Sequence, residues 1–143
     1  MSSPSQIAFN PRYPTSESLR EKARKRIPRF AFDYLDGGCN DGENLWRNRE
    51  SLLQVLLQPR YLENYPGCRL ETRVFGNTYA APFGVSPIGL QGLIWPGSPE
   101  ILARAAHRNR LPFILSTVGT ASLEDISRIT EGSAWFQFYH PAE

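Results

Sequence analysis

AWFQFY, residues 134–139, is an apolar run of strand character that carries one amide, Gln137, and ends in Tyr139. A strand that is apolar almost throughout belongs in a parallel sheet covered by helices. The residues upstream supply the rest of that pattern. LEDISRI (123–129) reads as a short helix, with Ser122 and Asp125 as its capping box. PFILS (112–116) is a second apolar strand. Before it, PEILARAAHRNR (99–110) is a helix with Ser98 as its cap and Pro99 at its first position. PFGVSP (82–87) is the earliest strand, and a glycine-rich loop, IGLQGLIWPG (88–97), follows it. Strand, helix, strand, helix, strand predicts an α/β fold.

An open doubly wound sheet and a TIM (β/α)8 barrel both satisfy this order. Gly89, Gly92 and Gly97 lack the spacing of a dinucleotide-binding turn. Polar residues stand instead at the carboxyl ends of all three strands: Ser86, Ser116 with Thr117, and Gln137 with Tyr139. A barrel assembles its active site on that rim, but closure takes eight strands and about 250 residues. With three strands counted, the fold is either not a barrel or an incomplete one.

Residues 1–60 read as a helical region. Thr15 or Ser16 caps a first helix in which Glu21 can pair with Lys25, and Pro28 interrupts it. RFAFDYL (29–35) continues to the stop at Gly37–Gly38. Asp41 then caps a helix to about Leu57, with Leu45, Leu52 and Leu56 on one face. Residues 61–81 predict a hairpin that turns at Gly76–Asn77, and residues 82–143 hold the strand–helix units. The whole reads as a single incomplete domain.

Composition narrows the function. Sixteen basic against fourteen acidic residues leave a net charge of +2, too balanced to argue for nucleic acid. The basic run REKARKR (20–26) reads as a solvated helix face. Cys39 and Cys68 lack metal-ligand spacing and read as incidental thiols of a reducing compartment. The N-terminal segment is too polar for a signal peptide. The most apolar stretch, 80–95, is broken by Pro82, Gly84, Pro87, Gly89 and Gly92, so no membrane span is expected, and peripheral attachment is left open.

RIPRFAFDYLDGGCNDGENLWRNRESL (26–52) resembles the N-terminal signature of the FMN-dependent α-hydroxy-acid oxidases and dehydrogenases. APFGVSPIGLQGLIWPGSPEILARAA (81–106), PFILSTVGTASLEDI (112–126) and WFQFY (135–139) follow in that family's order. GLQGLIWP (89–96) looks closest to its mandelate dehydrogenase branch. The resemblance implies FMN as cofactor, with the backbone of Pro87, Ile88 and Gly89 against the flavin near N5. It implies that Ser116 and Gln137 bond the flavin's pyrimidine edge, where a carboxamide suits alternating acceptors and a donor. Tyr34 and Tyr139 match the family's two substrate tyrosines, Tyr139 with a catalytic share. Their hydroxyls suit the carboxylate and hydroxyl of a small-molecule 2-hydroxy acid.

Three positions depart from the common pattern. Ile88 stands for a frequent threonine, and Pro99 for an acidic residue. Val118 replaces the bulky aromatic of some relatives, implying more room for the substrate. His107 and His140 are not taken as the catalytic base. The family's histidine, its carboxylate-clamping arginine, a flavin-contacting lysine and its phosphate loops belong to later strands, beyond these 143 residues.

The implied function is oxidation of an (S)-2-hydroxy acid to the 2-oxo acid, with these residues as the N-terminal part of a homo-oligomeric enzyme. That enzyme would be cytoplasmic, attachment to the inner face of a membrane remaining open. Taken alone, the 143 residues are expected to be inactive. Two alternatives stand beside this reading. One is a non-catalytic piece that acts by joining a complementary half-barrel. The other is an FMN barrel with different chemistry, such as isomerisation of an isoprenoid diphosphate, against which the paired tyrosines argue, since a diphosphate favours basic partners.

Overall fold

The computed structural model describes residues 10–64 and 67–140, in two units divided after Gly37. Most of the polar segment judged against a signal peptide, and the final residues 141–143, lie outside the described residues.

In the first unit Thr15 caps α1 (Ser16–Arg24): its hydroxyl accepts from the Ser18 N–H, and the Ser18 hydroxyl accepts from the Thr15 N–H, both at 3.2 Å. Glu21 pairs with Arg24 at 3.9 Å rather than with Lys25, which is already the C-cap. Pro28 starts α2 (Arg29–Asp36), as a residue with fixed φ and no N–H can at a helix end. Arg20 joins the two helices. Its guanidinium grips both carboxylate oxygens of Asp36, at 2.5 and 2.7 Å, and reaches Glu17 at 2.8 Å.

In the second unit Gly42, in the left-handed region at φ 75°, precedes α3 (Glu43–Leu53), so Asp41 is not the cap predicted for it. The helix stops short of Leu57. Leu45 and Leu52, predicted to share a buried face with Leu56, are exposed, as is Leu56 itself. Next comes the hairpin of β1 (Thr72–Val74) and β2 (Asn77–Tyr79). Its turn is Phe75–Gly76, not Gly76–Asn77. A two-residue turn of this hand needs positive φ at both central positions, and they have 49° and 83°.

PFGVSP forms one parallel bridge, Val85 to Phe113, rather than a regular strand. Val85 donates to the Pro112 carbonyl at 2.9 Å, and its own carbonyl accepts from Ile114 at 3.1 Å. Pro87, the next residue on the same side of the segment, has no N–H to extend the ladder. The stretch read as a glycine-rich loop holds one helical turn, α4 (Gln91–Ile94). Gly97, at φ 69°, precedes α5 (Ser98–Arg108), which shifts Ser98 from cap to first residue and Pro99 to second. Then follow β3 (Ile114–Ser116), α6 (Leu123–Thr130) and β4 (Trp135–Gln137), parallel to β3. Ser122 caps α6 by accepting from the Asp125 N–H at 3.1 Å. Its hydroxyl also donates to the Asp125 carboxylate, so the second arm of the capping box closes between side chains.

The core lies between this sheet and its helices. Phe113 and Leu115 meet Ala103 and Ala106 of α5 and Ile126 of α6, all nearly sealed from solvent. The two alanines, one turn apart, let α5 lie close to the strands. Each fully buried large side chain contributes about 1.5–3 kcal/mol. Alternation along β3 then turns Ile114 and Ser116 to the opposite face.

Candidate functional site

That opposite face has two ends of different character. At the amino end, Ile114 and Trp135 meet the hairpin residues Val74 and Tyr79 around an apolar cavity of about 370 Å³, which Pro87 also lines. Trp135 donates to the Tyr79 hydroxyl there at 3.0 Å. The carboxyl end is polar. Ser116 and Gln137 stand opposite each other in the parallel register, and the Ser116 hydroxyl donates to Gln137 Oε1 at 3.1 Å. Ser116 is buried, and its oxygen accepts from the Val118 N–H at 3.3 Å. Gln137 is half-buried. With its Oε1 engaged, the Nε2 donors of Gln137 have no hydrogen-bond partner among the described residues.

Just past the ladder, Thr117 ties β3 to the end of β4. Its N–H donates to the Gln137 carbonyl at 3.0 Å, and its hydroxyl donates to the same oxygen. That hydroxyl in turn accepts from the Tyr139 N–H at 3.1 Å. Tyr139 as a whole is 54% exposed.

The loop after Val85 is fastened to the same region. Leu90 donates to the Val118 carbonyl at 2.9 Å, and Gly92 to the Thr120 hydroxyl at 2.9 Å. A Cβ on Gly92 would strike Thr120, so a side chain there would push the two loops apart. Ile88 and Gly89, just before this fastening, are half-buried, and Pro87 is exposed. Gln91 is buried, and its Nε2 has no partner among the described residues. The structure thus brings the Ser116–Gln137 pair to the backbone of Tyr139, with the 87–89 segment leading into a loop held at Val118 and Thr120. Tyr34 is carried by α2 of the other unit, where it is 54% exposed.

Sequence reading placed Thr117 on the rim and gave it no role. Its signal was available only in combination: a hydroxyl one residue past a strand end, opposite a neighbour whose register was unknown. His107 lies on α5, half-buried, 3.9 Å from Glu131. Among the described residues, no three His, Cys, Asp or Glu side chains gather as a metal would require, and no helix is long and apolar enough to cross a membrane. Both cysteines are free and exposed.

A flavin is a reasonable complement to this end of the sheet. The unspent donors of Gln137 call for carbonyl acceptors, and an isoalloxazine ring supplies them at its pyrimidine edge. Residues 23–143 match the family of FMN-dependent dehydrogenases. The chain belongs to that family.

FMN is accordingly the cofactor of its class. The chain is 38% identical to the L-lactate dehydrogenase of Pseudomonas syringae pv. syringae (strain B728a) over 125 residues, which are 87% of the chain and 33% of that protein. It is 37% identical to the (S)-mandelate dehydrogenase of Pseudomonas putida over 123 residues, 86% of the chain and 31% of that protein. Among solved structures, it superposes on a soluble mutant of the membrane-associated (S)-mandelate dehydrogenase from Pseudomonas putida. The TM-score is 0.78 at 37% identity, covering 86% of the chain and 35% of the other. The chain therefore spans about a third of the length of the curated relatives it matches.

Proposed function

We propose that these residues are the first part of an FMN-dependent enzyme that oxidises an (S)-2-hydroxy acid to the 2-oxo acid. In this reading the described strands are the opening βα units of a (β/α)8 barrel. The observation that carries it is the Ser116–Gln137 hydrogen bond at 3.1 Å, which leaves the Gln137 amide donors unspent beside Tyr139. FMN, when bound, supplies the acceptor for the two electrons and the Cα hydrogen of the substrate.

The chain's own residues have separable tasks. Ser116 fixes the orientation of the Gln137 carboxamide, so its Nε2 hydrogens are free for the flavin's carbonyl edge. The backbone of Pro87, Ile88 and Gly89 would lie against the ring, where a glycine permits close approach. The phenols of Tyr139 and Tyr34 donate to the carboxylate and hydroxyl of the substrate, orienting its Cα hydrogen. A donor whose bond strengthens as negative charge gathers lowers the barrier and not only the binding constant. Val118, 41% exposed at the start of its loop, leaves room for a substrate side chain. Peripheral membrane attachment of the complete protein is supported by the description of one structural neighbour as membrane-associated.

The test is anaerobic mixing of the complete FMN-loaded protein with (S)- and (R)-lactate and with (S)- and (R)-mandelate, following the flavin absorption bands. Bleaching by an (S)-acid and not by its mirror image is the expected result. Bleaching by neither enantiomer of either acid would overturn the assignment.

A further inference from the structure

We propose that Thr117 is a positioning residue for the reaction: its hydroxyl sets where the Tyr139 phenol stands relative to the Ser116–Gln137 pair. The inference rests on the functional reading of Tyr139 given above.

The parallel ladder between β3 and β4 ends at Ser116 and Gln137. Tyr139 lies two residues further on, past the reach of strand pairing, and its N–H is held by the Thr117 hydroxyl at 3.1 Å. The same hydroxyl donates to the Gln137 carbonyl, which also accepts the Thr117 N–H at 3.0 Å. One oxygen therefore acts as donor to the residue that carries the amide and as acceptor from the residue that carries the phenol. A hydroxyl can do both at once; neither an aliphatic side chain nor an ammonium can. Threonine adds stiffness, because branching at Cβ restricts χ1 and holds the oxygen in one place. Tyr139 is thereby fixed in register with Gln137. Displacing a catalytic group by about 1 Å can cost on the order of 100-fold in rate.

Three variants of the complete protein test this: Thr117→Val, which keeps the shape and removes the oxygen; Thr117→Ser, which restores it; and Tyr139→Phe. In the flavin-free protein, amide hydrogen exchange at Tyr139 should accelerate at least 10-fold in Thr117→Val, recover in Thr117→Ser, and leave Leu115 in the core of the sheet unchanged. In the FMN-loaded protein, Thr117→Val should slow flavin reduction by about 10- to 100-fold with FMN affinity unchanged within about 2-fold. Thr117→Ser should regain most of that loss. If Thr117 acts through the phenol, adding Thr117→Val to Tyr139→Phe produces no further slowing. Losses that multiply in the double variant, or an unaltered Tyr139 amide in Thr117→Val, would overturn the positioning role. A wild-type rate in Tyr139→Phe alone would instead sink the functional reading on which it stands.

Discussion

Trp135 donates its indole N–H to the Tyr79 hydroxyl at 3.0 Å, across 56 residues of sequence, and the two rings meet edge to face with centroids 6.0 Å apart. Phe75, at the tip of the hairpin, reaches the same indole at 5.3 Å. The hairpin is thus pinned to the amino end of β4, and the opposite end of the strands is left for the polar site. Tyr79→Phe removes the acceptor and keeps the ring. It should lower stability by about 1 kcal/mol, the net worth of one such hydrogen bond, with the cost read from the urea midpoint. No change would mean that ring packing alone holds the hairpin.

Gly84 sits where the first parallel segment crosses Pro112. A Cβ there would lie 2.5 Å from Pro112 Cγ and 2.7 Å from its carbonyl oxygen. That oxygen accepts the Val85 N–H, so relief of the clash opens the bridge between segments. Gly84→Ala should destabilise the protein by about 1–3 kcal/mol, the range for overpacking, measured by denaturant unfolding. Gly76→Ala provides a comparison: there the space is open, and the cost arises from positive φ alone, about 1–2 kcal/mol.

Asp36 is held below the ordinary carboxylate range, first by the hydrogen bonds from Arg20 and then by its charge. A carboxyl whose pKa is lower folded than unfolded stabilises the fold above the unfolded value. That contribution is lost as pH falls through the folded value. The wild type should therefore exceed Asp36→Asn in thermal midpoint at about pH 6, and the gap should close as the pH falls below the ordinary carboxylate range and through the depressed folded value. Because both partners are partly solvated, added salt should narrow the gap at pH 6. A gap that widens on acidification would reverse the sign of this argument.

For Tyr139→Phe in the complete protein, a loss of about 10²–10³ in the rate of flavin reduction is expected, with FMN still bound. Rapid-mixing absorbance decides it. An unchanged rate would leave Tyr139 as a packing residue.

The polypeptide of 143 residues, prepared alone, should emerge colourless from desalting after incubation with excess FMN, and should not oxidise lactate, glycolate or mandelate. On the proposed reading its residues would address only the flavin ring, whereas (β/α)8 barrels hold phosphate near the last strands. A yellow protein that bleaches with hydroxy acid would refute this.

Much of the fold was legible because parallel strands are apolar on both faces. PFILS and AWFQFY announced β3 and β4, and Ser122 announced α6. The errors cluster where backbone conformation, not composition, decides. Gly42 and Gly97, in the left-handed region, displaced Asp41 and Ser98 from the caps expected of them, and Phe75 took a positive φ that its side chain does not advertise. PFGVSP looked like a strand by hydropathy but has Pro87 where the next donor is needed. At the site, Ser116 and Gln137 could be picked out as polar groups at strand ends. That they face one another follows from the register, as does the bridging role of Thr117, and register is a property of two strands that neither encodes alone.

Neighbouring parallel segments in this unit are also successive in sequence, from Val85 through β3 to β4. A ribosome releasing about 5–20 residues per second would deliver Gln137 within roughly 1–4 s of Ser116, the two being 21 residues apart. Each strand thus finds its partner already waiting, and the helix between them arrives in time to cover the pair. The Trp135–Tyr79 bond has to wait for β4 to be synthesised. Its two partners stand 56 residues apart, so the hairpin is made well before the strand it is pinned to, and the sheet is synthesised in the order in which its segments lie side by side.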